Sequence, residues 1–116
     1  MNDATVYLIQ EPTSDRDLSS AAQYGRINPI LSNNDKPSQN PEAAMEKLFA
    51  ALTNYRPDID FICFAGGDPI SEFLAGVVIE RLALDVITRL VWNRSRDATG
   101  SRNGAGFYVP KKINLC

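Results

Sequence analysis

The chain contains no histidine. That absence removes Ser-His-Asp and Cys-His nucleophilic catalysis, and most zinc sites with them. Cysteine is nearly absent as well. Cys63 and Cys116 are the only two; they lie too far apart to read as a metal site, and in a reducing compartment they are free thiols. A nucleophilic Cys63 needs a base beside it, and no imidazole exists to serve. No apolar run approaches the ~20 residues that cross a bilayer. The opening Met1-Asn2-Asp3-Ala4-Thr5 is polar and acidic, without the basic-then-apolar layout of a signal peptide. The expectation is a cytoplasmic protein with no membrane partner, no catalytic residue, no metal and no cofactor.

What is present is enough for one domain spanning residues 1–116. The central stretch Phe61-Ile62-Cys63-Phe64-Ala65-Gly66-Gly67-Asp68-Pro69-Ile70 reads as a buried strand, a tight glycine turn and a helix. Asp68 is a favoured N-cap, and Pro69 fits the first helical position because its missing N–H has no partner there anyway. Such a junction is where open α/β sheets place ligands.

On either side the pattern alternates between strand and helix. Thr5–Gln10 is β-branched and aromatic, a first strand ended by Pro12. Asp17–Gly25 predicts a short helix, capped by Asp17 and stopped by Gly25. Ile27–Leu31 predicts a second strand, placed at a sheet edge by Pro29. Residues 32–40 form a mobile Asn/Ser/Pro-rich loop. Asn40-Pro41 opens a long helix with Met45, Leu48, Phe49 and Leu52 on its buried face, closed by Arg56-Pro57. Asp60–Ala65 is the third strand. The next helix runs from Pro69 to about Leu84, with Phe73, Leu74, Val77, Val78 and Leu82 toward the core. Gly76 within it suggests close approach to the sheet, or a tolerated glycine. Val86–Trp92 is a fourth strand, residues 93–104 a polar loop, and residues 106–109 and 113–115 a fifth strand broken by Pro110. The fold class is α/β: a mostly parallel central sheet, two main helices and a C-terminal β-hairpin. Phe61, Cys63, Leu48, Leu52, Phe73 and Val77 are expected in one core.

Several segments together resemble a family of small hypothetical proteins encoded in tailed-bacteriophage genomes. They are residues 5–12, Asp17-Leu18-Ser19, residues 21–25, Ala65-Gly66-Gly67-Asp68-Pro69, residues 90–94 and Phe107-Tyr108-Val109-Pro110. The resemblance covers nearly the whole chain. It implies a viral origin and action in the host cytoplasm, and it carries no catalytic residues with it.

Two sites compete. Residues 86–116 hold Arg89, Arg94, Arg96, Arg102, Lys111 and Lys112 against Asp97 alone, a local +5 in a chain of net charge −2. With Trp92, Phe107 and Tyr108 nearby, this basic hairpin can dock on an acidic protein surface or bind nucleic acid through phosphates and stacking. A solvated hairpin is the plainer explanation, and the acidic pI near 5.0 argues against a dedicated nucleic-acid binder. A host or phage protein is the expected partner, bound through Arg94, Arg96, Arg102, Lys111 and Lys112. The other candidate is a small-ligand or nucleotide site at Gly66, Gly67 and Asp68, joined by Glu11 and Asp15 from the end of strand one. Against it, an Asp cap occupies the same N–H groups that a phosphate uses, and the turn has neither dinucleotide-fingerprint spacing nor a P-loop lysine.

Overall fold

The computed structural model describes residues 3–12, 18–96 and 102–115, with the side chains of 94–96 and 102–105 left aside. Its elements follow the predicted alternation: β1 (Thr5–Gln10), α1 (Ser19–Ala22), β2 (Arg26–Leu31), α2 (Pro41–Leu52), β3 (Phe61–Cys63), α3 (Pro69–Arg81), β4 (Val86–Arg96) and β5 (Arg102–Asn114). The five strands form one sheet in the order β2-β1-β3-β4-β5. All neighbours are parallel except β4 and β5. The fold is α/β.

The order explains where the helices go. The connection from β1 moves outward to β2, and the next returns across β1 to β3. Right-handed crossovers then put α1 on one face and α2 and α3 on the other. Alternation along β1 feeds both faces: Tyr7 and Ile9 pack with Leu48, Leu52 and Val78 under α2 and α3. Val6 and Leu8 pack with Ala21, Cys63, Leu90 and Tyr108 under α1. The single core expected from sequence is therefore two, one per face, with Cys63 on the opposite side from Leu48 and Leu52.

Both long helices start as their capping residues dictate. Asn40 accepts from the Ala43 N–H at 3.2 Å and Asp68 from the Ile70 N–H at 3.0 Å, each followed by proline. The predicted extent of α3 needs shortening. It ends at Arg81, and Ala83 turns into the left-handed region at φ 55°. Its buried stripe is Ser71, Leu74, Ala75, Val78 and Ile79. Phe73, expected in the core, is 68% exposed. Large residues drew the predicted stripe toward Phe73, whereas small Ser71 and Ala75 fill the tight contact. Gly76 does not serve close approach to the sheet, because a Cβ there meets nothing within 4 Å.

The hairpin is longer than predicted. β4 continues through Asn93 to Arg96, and β5 runs unbroken through Pro110, paired with Leu90. Of the polar loop expected over 93–104, residues 93–96 and 102–104 are strand, and the rest lies outside the described residues. Pro110 is tolerated because β5 is an edge. Tyr108 turns its peptide groups toward α1, donating to Ser20 Oγ at 3.0 Å and accepting from the Tyr24 hydroxyl at 3.3 Å. Pro110 lies two residues on, with the same orientation, so its missing N–H removes no bond to β4. Asp17, read as the cap of the first helix, lies outside the described residues; the N-cap position of α1 is Leu18.

Candidate functional site

The chain reverses its direction across the sheet at β1, so the topological switch point lies beyond the C-terminal ends of β1 and β3. Glu11 and Gly66-Gly67-Asp68 follow those two ends, as the sequence suggested. Asp15 falls outside the described residues. What occupies the switch point is Gln10, a residue that sequence reasoning passed over. Its side chain is 2% exposed, and its amide is used from both ends. Nε2 donates to the carbonyls of Ser32 and Asp35, both at 3.0 Å, and Oε1 accepts the Asp68 N–H at 2.9 Å. A lone glutamine closing an apolar strand was the available signal: a buried amide must find partners, and those partners come from whatever packs there.

The two glycines make room for this amide. Gly66 and Gly67 have φ of 132° and 107°, conformations that side-chain-bearing residues resist. A Cβ on Gly67 stands 2.6 Å from Gln10 Oε1. The Asp68 carboxylate is engaged as well. It caps α3 and accepts from both the N–H and the hydroxyl of Ser38. The Ser38 hydroxyl, then the Ile70 and Ser38 N–H groups, hold its pKa below the ordinary carboxylate value. The 32–40 loop, read as mobile, is tied in by these bonds, by a 2.7 Å Lys47–Asp35 ion pair and by fully buried Pro37. Chemically the turn is a satisfied polar clamp joining β1, the loop and α3.

A second polar cluster lies at the opposite edge of the sheet. Asp60, 1% exposed, accepts from the Thr5 N–H, the Arg56 N–H and the Arg56 guanidinium at 2.9–3.1 Å. Burial pushes its carboxyl up, but the Arg56 and Thr5 bonds outweigh this and hold it below the usual range. Buried Tyr55 donates to the Asp60 carbonyl and accepts the Thr88 N–H at 2.9 Å. This is scaffold that fastens the start of β3 to β1 and β4. Cys63 is buried, and burial lifts its thiol to about 11 despite a Tyr108 hydrogen bond, so it stays protonated at neutral pH.

The basic segment forms an arm. Cys63, the end of β3, pairs with Leu90, so from Val91 onward β4 is flanked by β5 alone. Arg94 lies opposite Gly106, and Arg96 opposite Arg102. Val91, Trp92 and Phe107 are exposed large apolar residues, and Lys111 and Lys112 are exposed on opposite faces of β5. Trp92 stands edge-on to Tyr108 at 5.0 Å between centroids and lies over Gly106, where any Cβ strikes the indole. Arg89, at the base of the arm, is paired with Glu72 of α3.

Comparison with known families gives a match to the Phage Pam3 gp32-like protein model over residues 4–99. The chain belongs to that family. The matched span takes in every element from β1 through β4, and it supports the phage-encoded origin that the sequence motifs implied. No curated protein and no solved structure matches the chain. Among the described residues, no helix is long and apolar enough to cross a membrane.

Proposed function

We propose that the protein is a non-enzymatic phage accessory protein that acts in the host cytoplasm and docks on an acidic surface of a host or phage protein through its β4–β5 arm. The observation that carries this reading is the arm itself. It leaves the sheet at Val91 and displays Val91, Trp92 and Phe107 within the segment of local charge +5. Exposed aromatic residues next to cations suit a protein interface, where apolar anchors supply affinity and charges supply rate and orientation. Nucleic acid is the less suited partner, because the remainder of the chain carries −7 and repels a polyanion. Binding of a defined acidic partner, compared between wild type and an Arg94→Glu, Arg96→Glu, Arg102→Glu variant, tests the proposal.

A second reading places a small ligand or nucleotide at Glu11, Asp15 and Gly66-Gly67-Asp68. The position of this turn at the switch point favours it; the occupation of its donors by Gln10, Asp68 and Ser38 weighs against it. Isothermal titration with nucleotides tests it: saturable heat with a nucleotide supports such a site, and no heat with any of them contradicts it.

A further inference from the structure

We propose that the partner of the arm supplies an extended acidic segment, which pairs as a strand with the open edge of β4 at Trp92 and Arg94. This rests on the arm as the interface and adds how the partner is held. Along a strand, successive residues turn their N–H and C=O groups to opposite sides, so a few bonds fix the direction of all. Tyr108 turns its groups outward, to Ser20 and Tyr24. Phe107 and Val109 therefore face β4 and bond to Asn93 and Val91, with which they are paired. The alternate residues of β4 face the other way. Thr88 donates there to the Tyr55 hydroxyl at 2.9 Å, and Leu90 pairs with Cys63 of β3. Trp92 and Arg94 continue that row, and the register shift comes only after Arg94. β3 ends at Cys63. Among the described residues no strand flanks β4 beyond it on that side, so Trp92 and Arg94 present a strand edge without a partner strand.

The other edges of the sheet are blocked against such pairing. Arg26 donates to the Ala4 carbonyl and so faces β1. Asn28 follows it by alternation, which turns Pro29 outward, where it offers no N–H. On β5 the outward positions are Tyr108, already engaged by α1 and Tyr24, and Pro110. Proline and cover at an edge are the devices by which sheets avoid unwanted strand addition. The β4 edge carries neither device. Val91-Trp92-Asn93-Arg94 holds no proline, and Val91, Trp92 and Asn93 are exposed.

Charge selects the occupant. A second copy pairing edge to edge sets the +5 segment of one chain against that of the other, and like charges on neighbouring strands repel. A segment rich in Asp and Glu is attracted to the same place. Its main chain bonds to Trp92 and Arg94, and its apolar side chains lie against Val91 and Trp92. Main-chain bonds then supply affinity and the side chains supply specificity, as in strand addition generally.

The probe is a synthetic peptide alternating glutamate and valine, with a peptide alternating lysine and valine as its control. Titrated into the full chain, the glutamate peptide is expected to bind saturably and the lysine peptide not at all. In amide hydrogen exchange followed by NMR, the glutamate peptide is expected to slow exchange at Trp92 and Arg94 and to leave Asn93, already bonded to β5, unchanged. Arg94→Gln removes the charge and keeps the N–H. Arg94→Pro removes both and, like Pro110, costs no bond to the neighbouring strand. Arg94→Pro is expected to bind the glutamate peptide about tenfold more weakly than Arg94→Gln, the worth of one hydrogen bond. Exchange is read on the wild type, so it decides the matter even where Arg94→Pro fails to fold. The proposal is overturned by no binding of the glutamate peptide, by equal binding of the lysine peptide, or by unchanged exchange at Trp92 and Arg94 in the complex. Equal affinities of the two Arg94 variants overturn it as well. So does protection of Trp92 and Arg94 in the peptide-free chain that rises with protein concentration, the sign of a second copy on this edge. Binding with unchanged exchange leaves the arm standing as an interface reached through side chains alone, whereas partner capture indifferent to charge reversal of the arm removes the arm itself, so the two failures are distinct.

Discussion

Gln10 and Asp68 are joined across the switch point of the sheet, the glutamine Oε1 accepting the aspartate N–H at 2.9 Å. The bond is possible only because Gly67, between strand and helix, has no side chain in its path. Gly67→Val should therefore destabilise the domain twice over, by strain at φ 107° and by collision with Gln10. A loss of about 1–3 kcal/mol is expected from the backbone strain alone, read as a lower melting temperature. An unchanged melt contradicts the clamp.

The Asp60 cluster should make stability sensitive to acid. Its folded-state pKa lies below the unfolded value of about 3.9, so its stabilisation is fully present above that pH and is lost as pH falls through the folded value. Asp60→Asn should lower the melting temperature clearly at pH 7 and much less at the acid end of a pH series. Equal differences across the series contradict the ionised pair. Tyr55→Phe, which leaves the Thr88 N–H without its acceptor, should cost about 1–3 kcal/mol.

The two faces of the sheet should respond separately from the exposed stripe of α3. Leu52 is fully buried, and Leu52→Ala should cost about 2–5 kcal/mol in denaturant titration. Phe73→Ala, measured at low protein concentration, should stay within about 0.5 kcal/mol of wild type. Reversal of that ranking contradicts the assignment of the α3 core stripe.

Cys63 should be inert to alkylation in the folded state, because its thiol is buried and lifted to about 11. In a Cys116→Ser background, native protein should take up no iodoacetamide at pH 8 and one equivalent after unfolding. Rapid native labelling contradicts the buried position of β3.

Local chemistry made much of this fold legible. Asn40-Pro41 and Asp68-Pro69 announced both helix starts through their side-chain acceptors, and Pro29 announced an edge strand. The glycine pair announced a turn of positive φ. What stayed hidden depended on long-range partners. Phe73 looks like core until small Ser71 and Ala75 are seen to face the sheet. Pro110 looks like a strand break until Ser20 and Tyr24 are seen to take the neighbouring peptide groups. Gln10 gains its meaning only from Ser32, Asp35 and Asp68, distant in sequence. The candidate interface was legible as charge, but its geometry as a projecting arm required the register of β4 against β5.

The most direct test of the proposed role is affinity capture from infected host lysate with wild type and the Arg94→Glu, Arg96→Glu, Arg102→Glu variant, each at low and high salt. The partner found should then be purified and its binding titrated. Exposed charges are screened over about 8 Å at physiological ionic strength, so wild type should bind an acidic protein strongly at low salt and weakly at high salt. The variant should melt as wild type does and bind at neither. Equal binding of the same partner by both proteins at both salt levels contradicts the arm as the interface.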